Sequence, residues 1–175
     1  MQTETNDDFF IECTEIEPTN VINNEFNFNL DRTKIHQDKR IGRLANELTF
    51  KNFYLSVSHN ISTMINLLGF KMINFVTISI GQEQICKYTG KDLEELSDYE
   101  KNKYGFRRML EGTEKIYVPL RILNNKVVDK LTYKVCESNV SLEEFLSKIV
   151  VSFKFNEDYL PNIKKVTLIV DMLIR

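Results

Sequence analysis

Apolar and polar residues alternate most cleanly at two places in the chain. From Ile22 to Leu30 the apolar positions Ile22, Phe26, Phe28 and Leu30 are separated by Asn23, Glu25, Asn27 and Asn29. From Val166 to Ile174 the positions Val166, Leu168, Val170, Met172 and Ile174 form one face. A period of two is the signature of a strand with one buried side. Phe9–Glu17 has β-favouring content and ends before Pro18, and a further strand is predicted around Leu48–Val57. Ser58 or Asn60 is placed to cap a short helix carrying Ile61, Met64, Ile65 and Leu68, which Gly69 would end. Lys71–Ile80 then reads as a strand apolar on both faces, joined to the preceding one by a βαβ crossover or a kinked hairpin.

Ser97-Asp98-Tyr99-Glu100 matches a capping box and predicts a helix to about Leu110. Ile116, Val118, Leu120 and Ile122 alternate before Asn124-Asn125, and Val127, Leu131, Tyr133 and Val135 continue after it, which predicts a β-hairpin. Pro119 lacks a backbone donor, so its strand belongs at a sheet edge or a bulge. Ser141-Leu142-Glu143-Glu144 is a second capping box, opening a helix with Leu142, Phe145, Leu146, Ile149 and Val150 on one face. A loop at Asn156–Asn162 precedes the last strand, Lys164–Arg175. Together these predict one α+β domain over residues 9–175, a mainly antiparallel sheet of about six to seven strands with about three helices packed on it. Residues 1–8 read as an acidic, disordered tail.

Composition narrows this picture. The 175 residues are 42% hydrophobic and 11% aromatic, enough for a core without metal or disulfides. Seventeen Asn, 17 Ile and 16 Lys stand against a single alanine, Ala45, a bias that AT-rich codons produce. The start, Met-Gln-Thr-Glu-Thr-Asn-Asp-Asp, lacks the features of a signal peptide, and no stretch reaches the roughly 18 apolar residues of a membrane span. The three cysteines, Cys13, Cys86 and Cys136, are odd in number and far apart, which favours reduced thiols. These features predict a soluble, cytoplasmic protein.

Net charge is −2, but it is unevenly laid out. Residues 1–30 hold seven acids and no base, whereas the remainder holds 23 bases and 18 acids. An acidic head on a basic body permits contact between copies, with Asp7, Asp8, Phe9 and Phe10 as the self-association segment. Two clusters could receive an anionic partner, either nucleic acid or a lipid headgroup. One is Lys39, Arg40 and Arg43, near Arg32 and Lys34; the other is Lys101, Lys103, Tyr104, Arg107 and Arg108. The pI of 5.8 argues against a dedicated nucleic-acid binder.

No P-loop, dinucleotide fingerprint, zinc spacing or nucleophile elbow occurs, so no cofactor, metal or catalytic residue is assigned. Ser58 and His59 are adjacent on a predicted strand, where side chains diverge. Lys87 stands beside Cys86 and would lower the pKa of its thiol. The leading reading is a non-enzymatic structural protein that self-associates into homo-oligomers and contacts other proteins. An accessory factor for nucleic acid using residues 101–108, and a small enzyme with a Cys or His site, are the alternatives. In size, composition and compact α+β layout the chain resembles small viral structural proteins, with the matrix proteins of negative-strand RNA viruses as the comparison. That resemblance implies location in the virion, although matrix proteins tend to carry a basic arm and this N-terminus is acidic.

Overall fold

The computed structural model describes residues 10–61, 68–96, 112–120 and 125–175. The strands are β1 (Phe10–Ile16), β2 (Asn20–Ile22), β3 (Glu25–Asn29), β4 (Glu47–His59), β5 (Ile73–Ile80), β6 (Glu83–Thr89), β7 (Thr113–Pro119), β8 (Thr132–Lys134), β9 (Ile149–Phe155) and β10 (Ile163–Ile174). Short helices sit between them: α1 (Leu68–Met72), α2 (described over residues 90–96), α3 (Asn125–Lys130) and α4 (Leu142–Ser147).

Every strand pairing is antiparallel, as expected, but there are two five-stranded sheets rather than one sheet under helices. The first runs β1-β10-β4-β7, with β8 also paired to β4; the second runs β2-β3-β9-β5-β6. Their inward rows meet in a single core. Phe53, Leu55, Val57, Ile116, Leu168 and Val170 come from the first sheet, and Phe28, Val76, Ile78, Val151, Phe153 and Phe155 from the second. Phe28 and Phe153 meet edge to face at 6.0 Å between centroids, across the β3–β9 pair.

Setting β2 and β8 aside, eight strands remain, and their pairing follows one rule. First pairs with last (β1·β10), second with seventh (β3·β9), third with sixth (β4·β7) and fourth with fifth (β5·β6). This is one long antiparallel hairpin, folded at Gly81-Gln82 and wound on itself so that β10 also pairs with β4 and β9 with β5. The wound double-sheet arrangement is a jelly roll.

Several expectations are corrected by this topology. Ile22–Leu30 is not one strand: Asn23, at φ 52°, and Asn24 turn β2 back onto β3. β4 and β5 lie in different sheets, so neither a βαβ crossover nor a hairpin joins them. Gly69 is inside α1 rather than at a helix end, packed so closely that an added Cβ would lie 3.2 Å from Ile116 Cγ1. Residues 62–67, and the predicted helix of residues 97–110, lie outside the described residues except where α1 begins. The predicted hairpin around Asn124-Asn125 does not form, because Asn125–Lys130 is helical and β7 and β8 both pair with β4. Pro119 does sit on an edge strand. The helix capped by Ser141, whose Oγ accepts from Glu144 N at 3.1 Å, ends at Ser147, and Ile149 and Val150 open β9 instead. β6 was not expected at all.

Candidate interaction faces

The clustered bases predicted to receive an anion lie partly on the loop between β3 and β4. That loop holds two short 3-10 turns, Leu30–Thr33 and Ile35–Gln37, with Lys34 at φ 54° between them. Arg32, Lys34, Lys39 and Arg43 are exposed. Arg40 is engaged: its Nε lies 3.0 Å from Asp38 Oδ1 and its Nη2 2.5 Å from Oδ2. That guanidinium hydrogen bond holds the Asp38 carboxyl below its usual range. Leu44 on the same loop is 73% exposed. Lys101, Lys103, Tyr104, Arg107 and Arg108 lie outside the described residues, as do Asp7, Asp8 and Phe9. Phe10 begins β1, in register with Ile174.

The residues weighed for nucleophilic chemistry are separated by the fold. Ser58 and His59 point to opposite sides of β4, with His59 buried. His59 Nδ1 accepts from Ile61 N at 3.2 Å, and its Nε2 faces Glu114 Oε1 at 3.4 Å, so the ring ties the end of β4 to β7. Cys86 is buried on the inward side of the second sheet as a small core residue, and burial pushes its thiol up to about 11, with no lowering from Lys87. Lys87 points the other way, with Nζ 4.3 Å from the Phe75 ring centroid. Among the described residues no three His, Cys, Asp or Glu side chains converge as a metal-binding group. A shallow polar hollow lies beside Tyr133, Lys134, Glu137 and Phe145, with Tyr133 Oη donating to Val140 O at 2.8 Å at its edge.

The outward faces of the two sheets are the larger surfaces. On the first sheet, alternation against the buried Ile16, Leu168, Leu55 and Ile116 turns Glu15, Ile169, Tyr54 and Tyr117 outward in one register row. The Tyr54 and Tyr117 rings pack tilted at 41° with centroids 5.1 Å apart, and Tyr117 Oη donates to Asn52 Oδ1 at 2.7 Å. Leu173, Asp171 and Thr167 share the face on β10, and Lys115 lies on it at the β7 edge. Cys13 opens onto the same side. Burial raises its thiol pKa, Asp171 and Glu15 add to the rise, and Lys115 opposes it. On the second sheet the outward rows are Asn27-Ser152-Thr77-Lys87 and Asn29-Val150-Ser79. Here the polar groups satisfy one another. Asn27 Nδ2 donates to Asn20 Oδ1 at 2.7 Å, Ser152 Oγ to Asn27 Oδ1 at 2.5 Å, and Asn29 Nδ2 to Ser147 O at 2.9 Å. At the rim of this sheet β2 exposes Val21 and Ile22, 52% and 60% accessible. Alternation alone places Tyr117 outward and Ile169 and Leu173 opposite the buried row of their strand, but it does not set them side by side, since they come together only through long-range pairing.

No known protein family and no curated protein matches the chain by sequence. Solved structures do show similarity of shape. PBCV-1 VP54, fitted into a reconstruction of the virophage Sputnik, has a TM-score of 0.49 at 13% identity, covering 94% of this chain and 42% of that one. The PBCV-1 virus capsid has a TM-score of 0.44 at 14% identity, covering 94% and 41%. Cocksfoot mottle virus has 0.39 at 8% identity, covering 99% and 87%. The chain spans less than half the length of the two PBCV-1 chains. It is the strand order, rather than these similarities, that makes the molecule a jelly roll. Among the described residues no helix is long and apolar enough to cross a membrane.

Proposed function

We propose that the chain is a non-enzymatic structural protein that assembles with copies of itself, of the kind that builds a viral shell. The observation that carries this reading is the wound eight-strand sandwich, whose first sheet turns a tyrosine- and isoleucine-bearing face outward. Jelly rolls serve as capsid, lectin and cupin domains, so the topology by itself is an analogy of fold. The face adds an argument from chemistry: Tyr54, Tyr117, Ile169 and Leu173 lie together on it, half-exposed, and gathered apolar surface favours association. In this reading the virion is where the protein works, residues 9–175 form the folded unit, and residues 1–8 are an acidic extension. Light scattering coupled to size exclusion, with negative-stain microscopy, tests it. Concentration-dependent oligomers or particles are expected, and a strict monomer at the highest attainable concentration overturns it.

The loop between β3 and β4 supports a second, subsidiary contact. Arg32, Lys34, Lys39 and Arg43 stand exposed there and suit the phosphates of a nucleic acid. Lys39→Ala with Arg43→Ala is expected to lower the slope of log affinity against log salt by about two for double-stranded DNA. An unchanged slope removes the loop from consideration.

A further inference from the structure

We propose that the outward face of the first sheet is a homodimer interface, covered by the same face of a second copy about a two-fold axis parallel to the strands. This rests on the self-assembling reading above and assigns it a surface and a geometry.

The strand order fixes what such an axis brings together. Rotation about a line midway between β10 and β4 lays β1 of one protomer over β7 of its partner, and β10 over β4, while keeping each register row in place. In the central row Ile169 then meets Tyr54, and Glu15 meets Tyr117. One row along, Lys115 at the β7 edge comes opposite the β1 edge, where Glu15 lies with Glu17, the latter paired in its own chain with Lys165 at 3.7 Å, so the two acids outnumber the one base there. The acidic edge of each copy therefore faces the basic edge of the other, and the contact occurs twice by symmetry. Asp171 meets Asn52 and Lys165 meets Ser58, so no like charges oppose. An axis perpendicular to the strands through the central row would instead set Glu15 on Glu15, and charge repulsion selects against it.

Packed sheets cross at about 30°, which displaces the edge strands by only about 4 Å, less than the roughly 7 Å between successive outward residues. The pairing of rows survives that rotation. α1 does not obstruct the face, because it approaches β7 through Ile116 and Glu114, on the opposite side from Lys115 and Tyr117. Four strands of about seven residues span roughly 450 Å² on each protomer, near 900 Å² in all. That lies below the standard size of a stable complex, so the dimer is reversible on its own and is held by further contacts in a larger assembly.

Reciprocal charge exchange tests the geometry. Sedimentation velocity would compare the wild-type full chain with Lys115→Glu, with Glu15→Lys/Glu17→Gln, which avoids setting a lysine against Lys165, and with the triple variant. Each partial exchange is expected to weaken dimerisation at least about tenfold, and the triple variant to restore it to within about threefold. Circular dichroism and melting keep the test clear of misfolding, since all three positions are exposed. Association unaffected by Lys115→Glu, or a folded triple variant that does not recover, overturns this interface while leaving self-assembly intact. A wild-type chain that never associates overturns self-assembly itself.

Discussion

Across the first sheet one outward row reads Glu15, Ile169, Tyr54 and Tyr117; across the second a comparable row reads Asn27, Ser152, Thr77 and Lys87. Both sheets cover the same core, and both are antiparallel with five strands. They differ in what happens to their polar groups. The second face joins Asn20, Asn27 and Ser152 in one hydrogen-bonded chain across three strands. The first turns Tyr54, Tyr117 and Ile169 outward among polar neighbours, with the Tyr117–Asn52 bond and the Lys165–Glu17 ion pair on the same face. Two sheets can thus share one core and differ in the alternate residues that face away from it.

The comparison can be tested by substitution. The largest effect is expected inside, where the sheets are alike: Phe153→Ala removes a fully buried ring and should destabilise by about 3–5 kcal/mol in denaturant unfolding. Thr77→Ala, on the outward side of the neighbouring strand, should stay within about 0.5 kcal/mol. A comparable loss at both positions would mean that the second sheet's outer face is structural too.

Next comes the contrast between the outer faces. Tyr54→Ala with Tyr117→Ala should abolish concentration-dependent association while costing about 0.5–1.5 kcal/mol beyond the lost burial. Phe75→Ala, at an aromatic that faces outward on the second sheet, should leave association unchanged. Light scattering on the two variants decides whether the faces differ as described.

The smallest effect concerns the chain as it passes from one sheet to the other. The Arg40 hydrogen bond depresses the Asp38 carboxyl, so its contribution is present above the ordinary carboxylate range, near pH 4, and is lost as pH falls through the lowered value. Asp38→Asn should lower stability slightly at pH 6 and converge with the wild type toward pH 2, which flattens the acid limb in melts recorded between those values.

How much of this could be read from sequence depends on what each signal encodes. Alternation in β10 and the Ser141 cap are local facts, and both appear as expected. The end of α4 was hidden because Ile149 and Val150 continue its helical spacing, which concealed β9, the middle strand of the second sheet. β6 was hidden by its polar composition, Glu-Gln-Ile-Cys-Lys-Tyr-Thr, with only Cys86 buried. Alternation also tells which side of a strand is wet but not which strand lies beside it. For that reason two strands that seemed to form a hairpin pair with β4 instead. The face as an assembled surface was illegible for the same reason: Tyr54, Tyr117 and Ile169 are dozens of positions apart and meet only after winding.

The pairing of the first strand with the last has a consequence for synthesis. Phe10 lies in register with Ile174, so β1 leaves the ribosome well before its partner exists. At 5–20 residues per second that interval is about 8–30 s. The row Glu15-Ile169-Tyr54-Tyr117 needs both β1 and β10, so it cannot form on a nascent or prematurely terminated chain. The order of synthesis therefore places the completion of this row after the appearance of β10, whatever the earlier strands have already formed.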